Sequence, residues 1–212
     1  MQKEITMKFG VIVFPGSNCD MDMIYVLQEI LGVQATKLWH KDTNLKGCDI
    51  IILPGGFSYG DYLRSGAIAK FSPIMNEVIG FAKAGGIVIG ICNGFQILCE
   101  AGLLPGTLRI NSTEKFICKP MDIITWPVHN QRRIPIAHAE GNYYHPNPAK
   151  LVEEQKVAYT YYGYENNPNG STRGICGIRN NNVLGMMPHP ERAFESYHCS
   201  QDGFKILEDF NA

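Results

Sequence analysis

Residues 86–98 read Gly-Ile-Val-Ile-Gly-Ile-Cys-Asn-Gly-Phe-Gln-Ile-Leu, and no other stretch constrains the fold of this chain as tightly. The β-branched run Ile87-Val88-Ile89 predicts a buried strand, and the apolar spacing from Phe95 onward predicts a helix. Between them, glycines stand two before and two after Cys92. A sharp strand-to-helix turn needs that spacing: Gly90 and Gly94 let the backbone crowd together while the side chain between them is thrust clear of the sheet. This is the nucleophile-elbow pattern with sulfur in place of a serine oxygen. The helix that follows brings unpaired N–H groups and a positive dipole end to the sulfur, an environment that favours a nucleophilic thiolate. A lone cysteine is most often a core residue. The paired glycines and the strand-to-helix context instead make Cys92 the candidate nucleophile.

The rest of the first half repeats the strand-then-helix rhythm. Residues 8–14 predict a strand ending in a Pro15-Gly16-Ser17-Asn18 turn, and residues 20–31 a helix with Met23, Val26, Leu27 and Ile30 on one face. Strands are expected over residues 35–39 and 49–53, the latter stopped by Pro54-Gly55-Gly56, and a helix over residues 73–84. Near-continuous apolar strands alternating with helices argue for an α/β fold with a parallel sheet covered on both faces. Sites in such sheets form beyond the carboxyl ends of the strands, where the turns after Leu53 and Ile91 fall. The second half is richer in polar, aromatic and proline residues. Residues 134–137 and 183–187 are its best antiparallel strand candidates, residues 166–172 a loop, and residues 202–210 a terminal helix.

Composition narrows the function classes. The 212 residues suit one domain, residues 1–212, with residues 1–6 read as an N-terminal extension and Met7 as an alternative start. A net charge of −1 gives no electrostatic reason to expect nucleic acid or an anionic membrane as partner. With neither a long apolar run nor a signal-peptide pattern, a cytoplasmic location is expected. Seven cysteines without Cys-x-x-Cys spacing argue against a disulfide framework or structural zinc; Cys48, Cys99, Cys118, Cys176 and Cys199 are read as reduced and mostly buried. No metal is expected.

A thiol nucleophile needs a base and a group to orient that base. Two His-x-Glu pairs are present, His138-Ala139-Glu140 and His189-Pro190-Glu191. Residues two apart in an extended segment project to one side, so either histidine has a carboxylate beside it. Pro190 biases His189 towards an extended backbone directly after an apolar strand, which favours the second pair. The first pair reads otherwise as a structural hydrogen-bonded pair or part of an interface. Backbone N–H groups at Gly55-Gly56-Phe57 and at Asn93 are the natural oxyanion donors, and Gln96 lies one short step into the elbow helix, within reach of a polar substrate.

The order of these pieces resembles the class I (triad) glutamine amidotransferases, and within them the members that serve purine biosynthesis. The resemblance rests on residues 13–20, on Pro54-Gly55-Gly56-Phe57-Ser58-Tyr59-Gly60-Asp61-Tyr62-Leu63-Arg64, on residues 90–96, on residues 135–141 and on residues 185–192. It implies a flavodoxin-like fold, with Cys92 as nucleophile, His189 as base and Glu191 as its orienter. By the same likeness Gly56 and Asn93 supply the oxyanion N–H groups, and Gln96 helps hold the substrate glutamine. It further implies that ammonia passes to a separate synthetase subunit, which uses ATP and Mg²⁺ to turn formylglycinamide ribonucleotide into its amidine, together with a small accessory subunit. One departure stands out: residues 119–133, with Pro120, Trp126 and Pro127, are shorter than the family pattern, which threatens local folding or a partner contact. Two other readings compete. Flavodoxin-like peptidases and deglycases also place a cysteine on an elbow, but their histidine follows it directly, where this chain has Asn93. A non-catalytic regulatory subunit that retains the fold would be marked by a missing triad member.

Overall fold

The computed structural model describes residues 7–163 and 166–208. The expectations for residues 1–6 and for the last two residues of the terminal helix lie outside that range. The first half alternates as the apolar runs predict: β1 (Lys8–Val13), α1 (Asp20–Tyr25, continued by a π-helical turn over Val26–Ile30), β2 (Gln34–Trp39) and β3 (Ile50–Leu53). Then come α2 (Pro73–Lys83), β4 (Ile87–Ile91) and α3 (Asn93–Glu100). The elbow helix starts two residues before the expected Phe95, because Cys92 itself makes the turn. The second half adds β5 (Thr107–Arg109), β6 (Ile117–Thr125), β7 (Gln131–His138), β8 (Asn142–Tyr144) and α4 (Pro148–Glu153). It closes with β9 (Val157–Tyr161), β10 (Ile175–Asn180), β11 (Val183–Met186) and α5 (Gly203–Glu208).

Nine strands form one sheet in the order β2-β1-β3-β4-β11-β10-β9-β6-β7, while β5 and β8 pair separately. Strands β2, β1, β3, β4 and β11 run parallel, and every pairing beyond β11 is antiparallel. Strand β11 therefore belongs to both halves: it is antiparallel to β10, as expected, and parallel to β4. Two apolar clusters follow this division. The larger joins Val11, Ile12, Ile51, Ile52, Val88 and Ile89 of the parallel strands to Met23, Leu27, Ile74, Val78 and Phe95 of the helices. The smaller packs Ile123, Ile134, Ile136, Tyr159, Cys176 and Met186.

Residues 119–133, expected to run shorter than the family pattern, lie within a regular hairpin. Strands β6 and β7 pair without interruption from Ile117↔His138 to Ile124↔Gln131. Their turn is closed by the Thr125 N–H on the Asn130 carbonyl (2.9 Å) and the His129 N–H on the Thr125 carbonyl (2.8 Å), with Trp126-Pro127 cis. Pro120 faces Pro135, so neither strand loses a ladder bond there, since both missing N–H groups point away from the partner. Local folding is thus regular across residues 119–133. The expectation that the spare cysteines are mostly buried needs correction: Cys48 and Cys176 are buried, Cys99 is half-buried, and Cys118 and Cys199 are exposed. Cys118 lies in the outer stretch of β6, and Cys199 precedes α5 in an open turn.

Candidate active site

The elbow is strained in the way its glycines permit. Cys92 has φ 49° and ψ −104°, outside the regions a non-glycine residue prefers. Neither flanking glycine tolerates a side chain. A Cβ on Gly94 would stand 1.9 Å from the Leu53 carbonyl oxygen, and one on Gly90 would stand 2.7 Å from the Gly94 backbone. The strand and the helix therefore meet only because both positions lack a Cβ. The turn is pinned from behind by the Cys92 N–H on the Met186 carbonyl (2.7 Å) and the Gln96 N–H on the Cys92 carbonyl (3.2 Å).

His189 emerges three residues after β11, with Pro190 opening a short 3₁₀ turn that carries Glu191. Its Nδ1 lies 2.5 Å from Glu191 Oε1, and both side chains are almost wholly buried. The other atoms of the pair, His189 Nε2 and Glu191 Oε2, are buried without a hydrogen-bond partner among the described residues. Burial works against the imidazolium here, but the Glu191 carboxylate, joined by the sulfurs of Cys92 and Cys19, outweighs it and holds His189 well above the usual histidine range. Cys92 is itself only 5% exposed, and its sulfur points at the Ala137 carbonyl (3.7 Å). The site is closed.

The two other site expectations acquire detail. At Gly55-Gly56-Phe57, the Phe57 N–H donates to the Gly16 carbonyl (2.9 Å), whereas the Gly56 and Asn93 N–H groups meet no acceptor among the described residues. Gln96 is buried, its Nε2 donating to the Glu140 carbonyl (2.7 Å) and its Oε1 accepting from Asn93 Nδ2 (2.9 Å). One N–H and one lone pair of its amide remain. Asn93 also accepts from the Ser58 N–H (3.1 Å) and donates to Asp61 (3.3 Å). Burial and then the charge of Glu140 push the Asp61 carboxyl up to about 6, against the hydrogen bonds from Ser65 and Asn93.

His138 and Glu140 do not pair with each other. Glu140 accepts from the Ser65 N–H (3.3 Å), and His138 Nδ1 lies 3.1 Å from Asn111 Oδ1. That oxygen also accepts from the Gly141 N–H (3.0 Å), so His138 must carry its proton on Nδ1. Burial, and next the charge of His189, push His138 down to about 4, leaving it neutral near pH 7. The end of β7 nevertheless backs the site through its carbonyls. Pro135 takes the His189 N–H (2.9 Å), Ala137 faces the Cys92 sulfur and Glu140 holds Gln96.

Cys19, Asp61, Asn111 and Arg192 are the residues that motif reasoning left without a task. Cys19, Asp61 and Arg192 stand inside stretches that carry the resemblance; Asn111, in a plain loop, has no sequence signal. Cys19, His189 and Glu191 offer metal-ligand atoms within 4.8 Å of one another. The set fits a cation poorly, because Arg192 Nη2 sits 3.0 Å from the Cys19 sulfur and Glu191 Oε1 is taken by His189.

A mixed α/β sheet with a strained elbow cysteine and a buried imidazole–carboxylate pair, beyond the carboxyl ends of β4 and β11, is arranged as in cysteine-dependent hydrolases. The chain belongs to the CobB/CobQ-like glutamine amidotransferase domain family, whose pattern matches residues 6–205. It is 52% identical over 221 residues to the phosphoribosylformylglycinamidine synthase subunit PurQ of Moorella thermoacetica, covering 95% of this chain and 94% of that one. It is 50% identical to the protein of the same name from Koribacter versatilis, covering 95% and 96%. A chain in the structure of PurLQS from Thermotoga maritima superposes with a TM-score of 0.87 at 40% identity over 98% of both chains. A more distant glutamine amidotransferase from Thermotoga maritima, at 15% identity and a TM-score of 0.57 over 97% of this chain and 83% of that one, shares the fold. Among the described residues no helix is long and apolar enough to cross a membrane.

Proposed function

We propose that this chain is the glutaminase subunit of a phosphoribosylformylglycinamidine synthase, acting as one amidotransferase domain in the cytoplasm. The observation that carries this reading is the buried His189–Glu191 pair set against the elbow cysteine. With the Cys92 proton held on His189 Nε2, the sulfur attacks the side-chain amide carbon of glutamine. The Gly56 and Asn93 N–H groups hold the oxyanion. Imidazolium then protonates the leaving nitrogen, ammonia departs, and a thioester remains. Water, giving a proton to His189, attacks the thioester carbon; collapse releases glutamate and returns the proton to sulfur. The sum is glutamine plus water to glutamate plus ammonia. Glu191 keeps the imidazole in the tautomer with Nε2 free for these transfers. Gln96 acts with its remaining N–H and lone pair on the substrate while bracing Glu140 and Asn93.

Ammonia leaves for a PurL-type synthetase that binds ATP and Mg²⁺ and forms formylglycinamidine ribonucleotide, with a PurS-type accessory protein completing the assembly. The 5% exposure of Cys92 supports a site that opens on engagement of that partner. The test is glutamate release from glutamine by this chain alone and with the synthetase. Strong stimulation that Cys92→Ala abolishes is expected. Turnover that survives Cys92→Ala in folded protein overturns the reading.

A further inference from the structure

The loop between β1 and α1 carries Pro15-Gly16-Ser17-Asn18-Cys19, a motif for which the triad chemistry has no use. It lies against the turn that holds Gly56 as a short antiparallel brace. Ser17 bridges Gly56, the Tyr59 N–H donates to the Pro15 carbonyl (2.6 Å), and the Cys19 N–H donates to the Gly55 carbonyl (3.3 Å). The contact is too close for other residues: a Cβ on Gly16 would stand 2.3 Å from the Phe57 carbonyl oxygen, and one on Gly56 2.8 Å from Asn18.

At the end of the brace Cys19 turns inward. Its buried sulfur accepts from Arg192 Nη2 (3.0 Å), and Arg192 is anchored in turn by Asp22 (Nε to Oδ2, 3.4 Å). A Cβ on Gly55 would meet the Cys19 sulfur at 3.1 Å and His189 Cε1 at 2.6 Å, so sulfur, glycine and imidazole are packed face to face. The same sulfur lies within 4.8 Å of metal-ligand atoms on His189 and Glu191. We propose that Cys19 is a positioning residue: its sulfur, held by Arg192, fixes the His189 imidazole between Glu191 and Cys92 and ties it to the turn bearing Gly56. The base and the oxyanion donor are thereby set by one loop rather than by two independent elements. Cys19 lacks the strained strand-to-helix turn that presents Cys92 (its φ is −102° and ψ 5°), which gives it this role and not that of a second nucleophile.

This inference rests on the glutaminase reading, and its test separates the two. Glutamine-dependent turnover is measured across pH in the assembled complex, for wild type, Cys19→Ala, Cys19→Ser, Arg192→Gln and the Cys19→Ala/Arg192→Gln double variant. Loss of the sulfur removes one partner of the imidazolium, so Cys19→Ala should lower kcat about tenfold with KM little changed. It should also move the alkaline limb of the kcat profile to lower pH, because a less stabilised imidazolium loses its proton sooner. Cys19→Ser should recover part of both effects. Arg192→Gln should move the same limb, and the double variant should add little to either single change. If Cys19→Ala does not assemble, the serine and Arg192 variants decide on the same signature. A wild-type complex that releases glutamate while every variant keeps its alkaline limb overturns the positioning role alone. A wild-type complex that releases none overturns the parent reading with it.

Discussion

The two halves of the sheet serve the site in different currencies. The parallel half supplies side chains and N–H groups: Cys92 at the end of β4, Gly56 after β3, and the Pro15–Cys19 brace after β1. The antiparallel half supplies carbonyls. Pro135, Ala137 and Glu140, along and just past one end of β7, receive the His189 N–H, the Cys92 sulfur and the Gln96 amide. Strand β7 is the last strand of the sheet, yet it returns to the carboxyl end of β4, so the antiparallel half curls round to close the site. Only the first contribution depends on which residues stand there. Substitutions at the reactive positions of the first half should therefore remove chemistry outright, whereas those in the second half should reach activity only through stability.

The largest expected effects fall on the triad. His189→Ala should lower glutamine turnover by about 10³-fold or more, and Glu191→Gln by about 10²–10⁴-fold, in proteins whose circular dichroism is unchanged. Next comes the elbow. Gly94→Ala forces a Cβ into the Leu53 carbonyl and should cost at least 3 kcal/mol (about the upper end for overpacking), read as a fall in the denaturant midpoint. In the antiparallel half, Ile136→Val trims a fully buried side chain of the smaller cluster and should cost about 1 kcal/mol while leaving kcat within about twofold. A large loss of kcat from Ile136→Val, without a matching loss of stability, would break the division of labour.

Legibility in the sequence follows the same line. Strands β3 and β4 are buried on both faces and read as unbroken apolar runs, and β1 carries its own run Val11-Ile12-Val13, which is why their positions and the turns beyond them could be placed. Strand β6, Ile-Cys-Lys-Pro-Met-Asp-Ile-Ile-Thr, is half-buried, and its Lys119, Pro120 and Asp122 hide the alternation that buries Met121, Ile123 and Thr125. Strand β10 is hidden by a register shift around Gly177. In the site, the triad residues have side-chain signatures, whereas a supporting carbonyl on Pro135 or Ala137 has none, since every residue carries one. The partnering of His138 by Asn111 was equally out of reach, being set by a loop contact 27 residues away.

Two smaller effects sharpen the comparison. His138 lies in the antiparallel half and is held neutral, with its pKa pushed down to about 4 by burial. The unfolded chain protonates it below about 6.5, so it contributes stability above that pH, and the contribution drains away as pH falls from about 6.5 towards 4. His138→Gln should flatten the acid side of the stability profile over that window, and an unchanged slope would count against the assignment. The smallest effect is expected at Arg133–Asp122, a half-exposed pair (3.0 Å) on the β6–β7 hairpin. Asp122→Asn should alter stability by less than about 0.5 kcal/mol in thermal unfolding.

Hydrolysis of glutamine by the elbow thiol and the His189–Glu191 pair, on behalf of a partner, is tested most directly by mass spectrometry of the complex quenched during turnover with glutamine. A glutamyl thioester on Cys92, absent from Cys92→Ala and accumulating in a variant slowed at the water step, is the predicted result. Glutamate released at the wild-type rate by Cys92→Ala, or an acyl group found on another residue, would contradict it.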